Sequence, residues 1–269
     1  FKMIKPKKSL GQNFLIDQNV IKKITSLVKI KENNILEIGS GTGNLTSEII
    51  KKEPNNFILL EKDFDLCKTL EKKFDLRKDL EILNKDILNF DLEKKIKKNT
   101  IIFGNLPYNI STQILVKLIK FKKWPPRYNR LILMFQKEVA ERILAKSNSS
   151  KYGRLAIISN WRLKIVDYFN ISKNCFYPKP KVDSTVLVFK PIANKIYKIN
   201  DINNLEKVTQ TFFSARRKMI NKSFNRLFYN FHLFADKLNI DLSQRPNQIN
   251  KENYYKITEY YEKYGKSVK

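Results

Sequence analysis

The chain has 269 residues, of which 42% are apolar, so it is long enough to bury a full hydrophobic core rather than remain disordered. Lysine and arginine number 53 against 26 acidic residues, and the net charge of +27 favours a polyanionic partner such as nucleic acid. A genome rich in A and T would also raise the lysine content, so charge alone does not establish that partner. The two cysteines and one histidine exclude a disulfide framework and a Cys/His zinc site.

The sequence shows neither a secretory signal nor an apolar run of about eighteen residues, and we expect a cytoplasmic protein that crosses no membrane. The single histidine, His232, lies in a phenylalanine-rich segment, where a structural role is a simpler interpretation than general-base catalysis. We also expect no bound metal, because the sequence offers no Cys/His metal-binding pattern.

Residues 1–10 are basic and carry few apolar side chains, which is typical of an arm that becomes ordered against a partner. After this arm, short apolar segments alternate with segments of helical periodicity. Strands are predicted at 34–38, 56–60, 80–83, 101–103 and 130–135, and helices at 17–28, 45–52, 64–74, 110–121 and 137–144. This alternation predicts an α/β domain with a parallel sheet and helices on both faces.

The pattern changes in the second half of the chain. Two β-rich stretches, 154–169 and 184–190, are predicted around a turn-rich loop at 176–183. Beyond residue 194 the periodicity is helical, with amphipathic helices predicted at 205–213, 218–229, 231–238 and 251–264. We therefore expect an α/β domain over residues 1–192, including the basic arm, and a small all-α domain over residues 193–269.

A glycine-rich loop, residues 39–43, follows the first of these strands and begins the next helix. Gly39, Gly41 and Gly43 permit a tight turn and a close approach of the backbone to a ligand, which is typical of a cofactor-binding loop. The spacing is GxGxG rather than the GxGxxG of dinucleotide-binding folds, and this argues against a nicotinamide-dependent dehydrogenase.

Two acidic residues follow the next strands. Glu61 ends the second strand, where a carboxylate can bind both hydroxyl groups of a ribose. Asp86 follows the third strand and can accept a hydrogen bond from an adenine amino group. Each of them alone could equally be a solvated surface acid.

The segment formed by Asn105, Leu106, Pro107 and Tyr108 follows the fourth strand. The amide oxygen of Asn105 can accept a hydrogen bond from an exocyclic amino group, and a rigid turn can present the carbonyl of Pro107. Tyr108 offers a ring on which a base can stack. By itself the segment could equally be a strand-end turn with a packed tyrosine.

These elements stand in order at the ends of four successive strands, and such ends line one crevice of an open parallel sheet. The combination of glycine loop, ribose acid, adenine acid and an Asn-Leu-Pro-Tyr segment is typical of S-adenosylmethionine-dependent methyltransferases. We therefore expect a Rossmann-like, class I methyltransferase fold with S-adenosylmethionine as methyl donor and a base carrying an amino group as acceptor.

Several segments resemble the ribosomal RNA adenine N6,N6-dimethyltransferases. They are residues 9–17 (SLGQNFLID), 37–43 (EIGSGTG), 105–108 (NLPY), 176–184 (FYPKPKVDS), 213–221 (FSARRKMIN) and 245–249 (RPNQI). The last two segments resemble the small-subunit, KsgA-type branch of this family. One departure is Ser40, where the family usually has proline.

The resemblance implies an enzyme that dimethylates two adjacent adenines near the 3′ end of 16S rRNA during maturation of the 30S subunit, acting as a monomer. It implies contacts to the methyl donor from Asn13, Leu15, Gly39, Glu61, Asp86 and Asn105. It also implies that Tyr108 stacks on one face of the target base and that Phe176 stacks on the other.

The candidate RNA contacts are basic side chains, namely Lys7 and Lys8 of the arm and Arg216, Arg217 and Lys218 of the helical domain. Contacts of this kind position a phosphate backbone without reading its sequence. A solvated charged surface is the alternative interpretation of the other lysines.

Three other functions remain open from the sequence. An Erm-type enzyme would methylate 23S rRNA instead, although the Arg-Arg-Lys segment at 216–218 argues against it. A DNA adenine methyltransferase would more often carry Pro-Pro-Tyr after the first residue of the 105–108 segment. A non-catalytic nucleic-acid-binding relative is disfavoured by the intact glycine loop and its acidic partners.

Overall fold

The computed structural model describes residues 6–7, 10–193 and 196–266, and Lys8 of the predicted arm lies outside these ranges. The chain divides into two compact units. The first consists of the chain up to Ala140 together with Lys164–Pro191. The second consists of Glu141–Leu163 together with the chain from Ile192 onward.

The first unit is organised around a twisted sheet. The strands of the described residues are β1 (Phe14–Leu15), β2 (Asn34–Ile38), β3 (Asn56–Glu61), β4 (Leu80–Asn84), β5 (Thr100–Asn105), β6 (Tyr128–Gln136), β7 (Leu163–Ile171), β8 (Phe176–Tyr177) and β9 (Ser184–Pro191). Seven of them form a sheet in the order β4-β3-β2-β5-β6-β9-β7, and β1 pairs separately with β8. Strands β2 to β6 pair in parallel and β9 pairs antiparallel to β6. The predicted α/β fold is confirmed.

Helices follow most of these strands. Those of the described residues are α1 (Gln18–Ser26), α2 (Asn44–Ile50), α3 (Phe64–Lys73), α4 (Leu92–Lys95), α5 (Ser111–Ile119), α6 (Lys137–Leu144), α7 (Arg154–Arg162), α8 (Ile202–Phe213), α9 (Asn221–Leu227), α10 (Phe231–Lys237) and α11 (Lys251–Tyr264). Within the described ranges, none of them has the length and apolar character needed to span a membrane.

The core of the first unit lies where α1, α2 and α3 cover the sheet. Ile24, Ile49 and Leu70 from these helices belong to one buried cluster with Phe57 and Phe103 from the strands. All five side chains are at most 2% exposed, and each contributes roughly 1.5–3 kcal/mol through removal of apolar surface from water. This core fixes the strand ends that carry the predicted site.

One part of the sequence-based prediction is wrong. Residues 154–162, expected to begin a β-rich stretch, form helix α7, and strand β7 starts only at Leu163. The apolar run that ends with Ile157 and Ile158 fits a buried strand or a buried helix, because so short a run shows no decisive period. The same segment belongs to the second unit, whereas the boundary predicted after residue 192 assigns it to the first.

The second unit is helical, as predicted for the C-terminal region, and aromatic side chains fill its core. Phe212 of α8 makes edge-to-face contacts with Phe224 of α9 and with Tyr254 of α11, each with ring centroids 5.4 Å apart. The hydroxyl of Tyr255 donates a hydrogen bond of 2.7 Å to the carbonyl oxygen of Ile157. This bond fastens α11 to the buried face of α7.

Replacing Tyr255 by phenylalanine tests that bond. Tyr255 is 3% exposed, so the substitution removes a buried hydrogen bond while it preserves the packing of the ring. We expect the free energy of unfolding to fall by about 1–2 kcal/mol, measured by urea denaturation. Tyr264→Phe is the matched control, because the Tyr264 side chain is 55% exposed. Equal stabilities of the two variants would contradict the assignment.

Candidate active site

A cavity of about 880 Å³, counted with its open mouth, lies at the carboxyl ends of the parallel strands. Its walls contain most of the predicted site residues, namely Asn13, Gly39, Gly41, Glu61, Asp86, Asn105, Leu106, Pro107 and Tyr108. Leu15, Gly43 and Phe176 are not on its walls. The four strand-end elements that the sequence predicts are therefore brought to one crevice.

The glycine loop approaches its neighbours too closely for side chains at two positions. Gly39 has φ +73°, and a Cβ there would lie 3.0 Å from the backbone oxygen of Asn105. Gly41 has φ +55°, and a Cβ there would lie 2.8 Å from the Phe14 ring. A side chain at either position would have to displace a neighbour, so glycine is required at these two places on the cavity wall. Gly43 instead packs toward Leu70, so its predicted donor contact stays a prediction.

Glu61 is held rigidly at the floor of the cavity. One carboxylate oxygen accepts from the backbone N–H of Gly41 and the other from that of Asp63, both at 3.0 Å. Burial raises the pKa of Glu61, while the backbone hydrogen bonds oppose that rise. The carboxylate has four lone-pair sites, so it keeps acceptor capacity for a ribose hydroxyl.

Asp86 is an ionised acceptor at the rim. The ammonium group of Lys62 lies 2.9 Å from one carboxylate oxygen, and the backbone N–H of Leu88 donates to the other at 2.9 Å. Lys62, followed by the Leu88 bond, lowers the pKa of Asp86. A group in this state can accept a hydrogen bond from an adenine amino group at neutral pH.

The orientation of the Asn105 carboxamide is set by Asn13, three residues after the arm. Its nitrogen donates to the backbone oxygen of Asn13 at 2.9 Å, which leaves the oxygen Oδ1 as the acceptor of the group. The carbonyl of Pro107 accepts from the N–H of Ile110 at 3.1 Å and keeps its second lone pair. Two acceptors therefore stand on one segment of the cavity wall.

The Tyr108 ring is anchored at its outer end. Its hydroxyl lies 2.6 Å from the hydroxyl of Ser184, the first residue of β9, which is fully buried. Ser184 is the last residue of the 176–184 motif, and the sequence alone indicates no role for it. Its position shows that it holds the ring on which a base could stack.

Phe176 is buried and does not line the cavity. It lies on β8 opposite Leu15 of β1, and both are buried in the core at 3% and 5% exposure. Side chains alternate along a strand, so the adjacent Tyr177 points outward instead and is 56% exposed. The stacking role of Phe176 and the donor contact of Leu15 stay predictions.

The predicted RNA contacts differ in availability. Lys7 pairs with Asp63 and Asp65, at 2.7 and 2.8 Å. Arg216 donates to the carbonyl oxygens of Ser150 and Tyr152. Arg217 and Lys218 are exposed in the turn after α8.

Among the described residues, no group of three or more His, Cys, Asp or Glu side chains could hold a metal ion.

A buried acid beside the site escaped the sequence analysis. Glu37, 1% exposed on β2, accepts a hydrogen bond of 2.6 Å from the Thr46 hydroxyl. Burial raises the pKa of Glu37 to about 8, although the bond from Thr46 opposes the rise. A carboxylate inside an otherwise apolar strand is unusual, and this pattern could have identified Glu37 from the sequence.

The fold and the site together define a class I, S-adenosylmethionine-dependent methyltransferase. The family model described as ribosomal RNA adenine dimethylase matches residues 3–263. The chain is 46% identical over 259 residues to ribosomal RNA small subunit methyltransferase A of Pelagibacter ubique, covering 96% of this chain and 98% of the relative. The protein of that name from the Wolbachia of Drosophila simulans is 35% identical, covering 94% and 92%.

Solved structures agree on the fold. A dimethyladenosine transferase from Plasmodium falciparum superposes with a TM-score of 0.77 at 24% identity, covering 94% of this chain and 99% of that one. The 23S rRNA methyltransferase ErmE gives a TM-score of 0.69 at 20% identity, covering 93% and 99%. The family match over nearly the whole chain shows that this protein belongs to the ribosomal RNA adenine dimethylases.

Replacing Glu37 by glutamine is expected to flatten the pH dependence of stability. In the folded protein Glu37 keeps its proton up to about pH 8, against a reference pKa of 4.5. The unfolded chain releases that proton first, so the wild-type free energy of unfolding falls as pH rises from about 4.5 to about 8, by at most about 5 kcal/mol.

Urea denaturation between pH 5 and 9 measures this effect. The Glu37→Gln variant should lack that part of the decline, and Glu71→Gln, an exposed change on α3, should retain it. Parallel pH profiles for wild type and Glu37→Gln would show that Glu37 is ionised when folded.

Proposed function

We propose that this protein transfers methyl groups from S-adenosylmethionine to N6 of two adjacent adenines near the 3′ end of 16S rRNA, two groups to each base. The observation that carries the proposal is the Asn105 carboxamide, which Asn13 fixes with its oxygen left as an acceptor on the cavity wall. The small-subunit enzymes named among the relatives support 16S rRNA as the substrate.

The donor half of the cavity suits S-adenosylmethionine. Gly39 and Gly41 line the cavity without side chains, Glu61 offers a fixed carboxylate to a ribose, and Asp86 offers one to an adenine. S-adenosylmethionine, when bound there, supplies an electrophilic methyl group on sulfur. The protein contributes the floor and the acceptors that orient it, and alignment of the reacting groups accounts for much of the acceleration.

The acceptor half suits an adenine amino group. The N6 lone pair of adenine is delocalised into the ring, which makes the nitrogen a poor nucleophile. In the first transfer, hydrogen bonds from its two N–H groups to Asn105 Oδ1 and to the Pro107 carbonyl favour a tetrahedral nitrogen and localise that lone pair. In the second transfer the monomethylated nitrogen has one N–H left, which can bond to one of these two acceptors. At each transfer the bond between N6 and the methyl carbon forms as the bond between that carbon and the donor sulfur breaks, S-adenosylhomocysteine leaves, and the nitrogen loses a proton to solvent. No strong general base is needed, and the only histidine, His232, lies on α10 of the second unit.

The target base must leave its stack to reach this cavity. Extrusion costs about a few kcal/mol, and less in a loop or an unpaired strand. Stacking on the Tyr108 ring, which Ser184 anchors, would return roughly 1–3 kcal/mol. The cavity offers one Tyr108 ring, so the two adjacent adenines would enter it one after the other.

The charge of the chain supports an RNA substrate. A net charge of +27 provides sequence-independent attraction to phosphates, and the exposed Arg217 and Lys218 are positioned in a turn of the helical unit where a phosphate backbone could reach them. We propose that the substrate is an immature 30S particle and that the enzyme acts as a cytoplasmic monomer without a metal.

A methyl-transfer assay with three acceptors tests the function. Purified protein and labelled S-adenosylmethionine are incubated with small subunits lacking the modification, with large subunits, or with duplex DNA. We expect N6,N6-dimethyladenosine in nuclease digests of small-subunit rRNA alone. Labelling confined to large-subunit rRNA would indicate an Erm-type activity, labelling of DNA a DNA methyltransferase, and no labelling of any acceptor a non-catalytic protein.

A further inference from the structure

Asp63 occupies an unusual position between the donor cavity and the amino-terminal arm. It lies two residues after Glu61, is 4% exposed, and caps helix α3 by accepting the N–H of Asp65 at 3.0 Å. A helix cap uses one carboxylate oxygen and is normally solvated. Here both oxygens are also bound by side chains from the amino-terminal segment 7–12, so capping does not explain the whole arrangement.

Lys7 of the arm and Gln12 just after it both bind this carboxylate. The ammonium group of Lys7 donates to Asp63 Oδ1 at 2.7 Å, and the amide nitrogen of Gln12 donates to Oδ2 at 2.8 Å. The amide oxygen of Gln12 in turn accepts the backbone N–H of Lys7 at 2.7 Å. These three residues form a closed ring of hydrogen bonds, which we call the clasp.

The clasp lies next to residues that form the cavity wall. Immediately after Gln12, the backbone oxygen of Asn13 accepts the Asn105 amide, and the Phe14 ring covers Gly41. On the other side, the N–H of Asp63 donates to Glu61. The clasp therefore joins the wall formed by Asn13 and Phe14 to Glu61, the proposed ribose-binding residue.

The charge of Asp63 makes this junction strong. Burial raises the pKa of Asp63, but the hydrogen bonds from Lys7 and Gln12 outweigh that effect and leave the pKa below its ordinary value. The carboxylate is therefore ionised at neutral pH. Charge-assisted bonds to a buried carboxylate are stronger than an exposed pair such as that between Lys7 and Asp65, whose side chain is 71% exposed.

We propose that Asp63 is a positioning residue for the methyl donor: through Lys7 and Gln12 it straps the segment from Gly11 to Phe14 across the donor cavity. The donor then binds under a closed strap rather than in an open groove. This inference rests on the proposed function, since it takes S-adenosylmethionine as the ligand of the cavity. Asp63 itself does not line the cavity and acts through Lys7 and Gln12.

The substitution Asp63→Asn opens the clasp with little other change. Asparagine caps helices as well as aspartate, so α3 is retained. An amide at position 63 must place its NH₂ either against the donating nitrogen of Gln12 or against Lys7 and the N–H of Asp65. In both orientations a donor faces a donor, so at least one bond of the ring is lost.

Titration calorimetry with S-adenosylmethionine measures the effect without any RNA. We expect Asp63→Asn to raise the Kd of S-adenosylmethionine about tenfold or more. Asp65→Asn, which removes only the exposed partner of Lys7, should change it less than about threefold. Gln12→Leu leaves the α3 cap untouched and should raise the Kd as Asp63→Asn does, which keeps the test valid if Asp63→Asn fails to fold.

Rescue separates a clasp from general damage. In the double variant Gln12→Glu with Asp63→Asn, the new carboxylate at position 12 can accept both the Lys7 N–H and the new amide. We expect its Kd for S-adenosylmethionine to return to within about threefold of the wild-type value. A double variant no better than Asp63→Asn, or a wild-type Kd for Asp63→Asn, would overturn the proposal.

The kinetic split completes the test. With small subunits as acceptor, the KM of Asp63→Asn for S-adenosylmethionine should rise with its Kd, while kcat at saturating donor stays within about threefold. A tenfold fall in kcat at unchanged KM would overturn the strap and assign Asp63 to the chemical step. If the wild-type protein binds S-adenosylmethionine but methylates no RNA, the proposed function is refuted, while the calorimetric test of the clasp remains valid.

Discussion

The site depends on the parallel register of three strands. β2 lies between β3 and β5, and its last residue, Ile38, is level with Leu60 on one side and Gly104 on the other. Because the three strands end at the same level, Gly39, Glu61 and Asn105 emerge side by side. The approach of a Gly39 Cβ position to 3.0 Å from the Asn105 backbone oxygen shows how closely this register brings them together. Backbone pairing therefore places the donor and acceptor halves of the cavity before any side chain is considered.

The side chains then convert this placement into defined hydrogen-bonding states. Backbone N–H groups hold both oxygens of Glu61, and Asn13 holds the nitrogen of Asn105. Asn105 is thus fixed through a nitrogen that the substrate does not need, and Glu61 through hydrogen bonds that leave acceptor capacity on its carboxylate, so both groups are preorganised for the ligand. Preorganisation of this kind is the main means by which a site without a strong base can accelerate methyl transfer.

Much of this arrangement could be predicted because it follows from local sequence. The strands β2 to β6 are short apolar segments, and the residues after them carry the chemistry. The helix at 154–162 was missed because its short apolar run has no decisive period. The burial of Phe176 depends on the pairing of β8 with β1, and the clasp joins Gln12 to Asp63 across 51 residues, so neither can be read from local patterns. Glu37 could have been found, since a carboxylate in a buried strand is itself a signal.

The central claim is that the fixed Asn105 oxygen localises the N6 lone pair of the target adenine. The most direct measurement is kcat for methylation of small-subunit rRNA by the Asn105→Ala variant, with Asn89→Ala as an exposed asparagine control. We expect kcat to fall about a hundredfold or more in Asn105→Ala, with binding of the small subunit within about threefold of wild type and with the control unchanged. A kcat near the wild-type value in Asn105→Ala would contradict the claim.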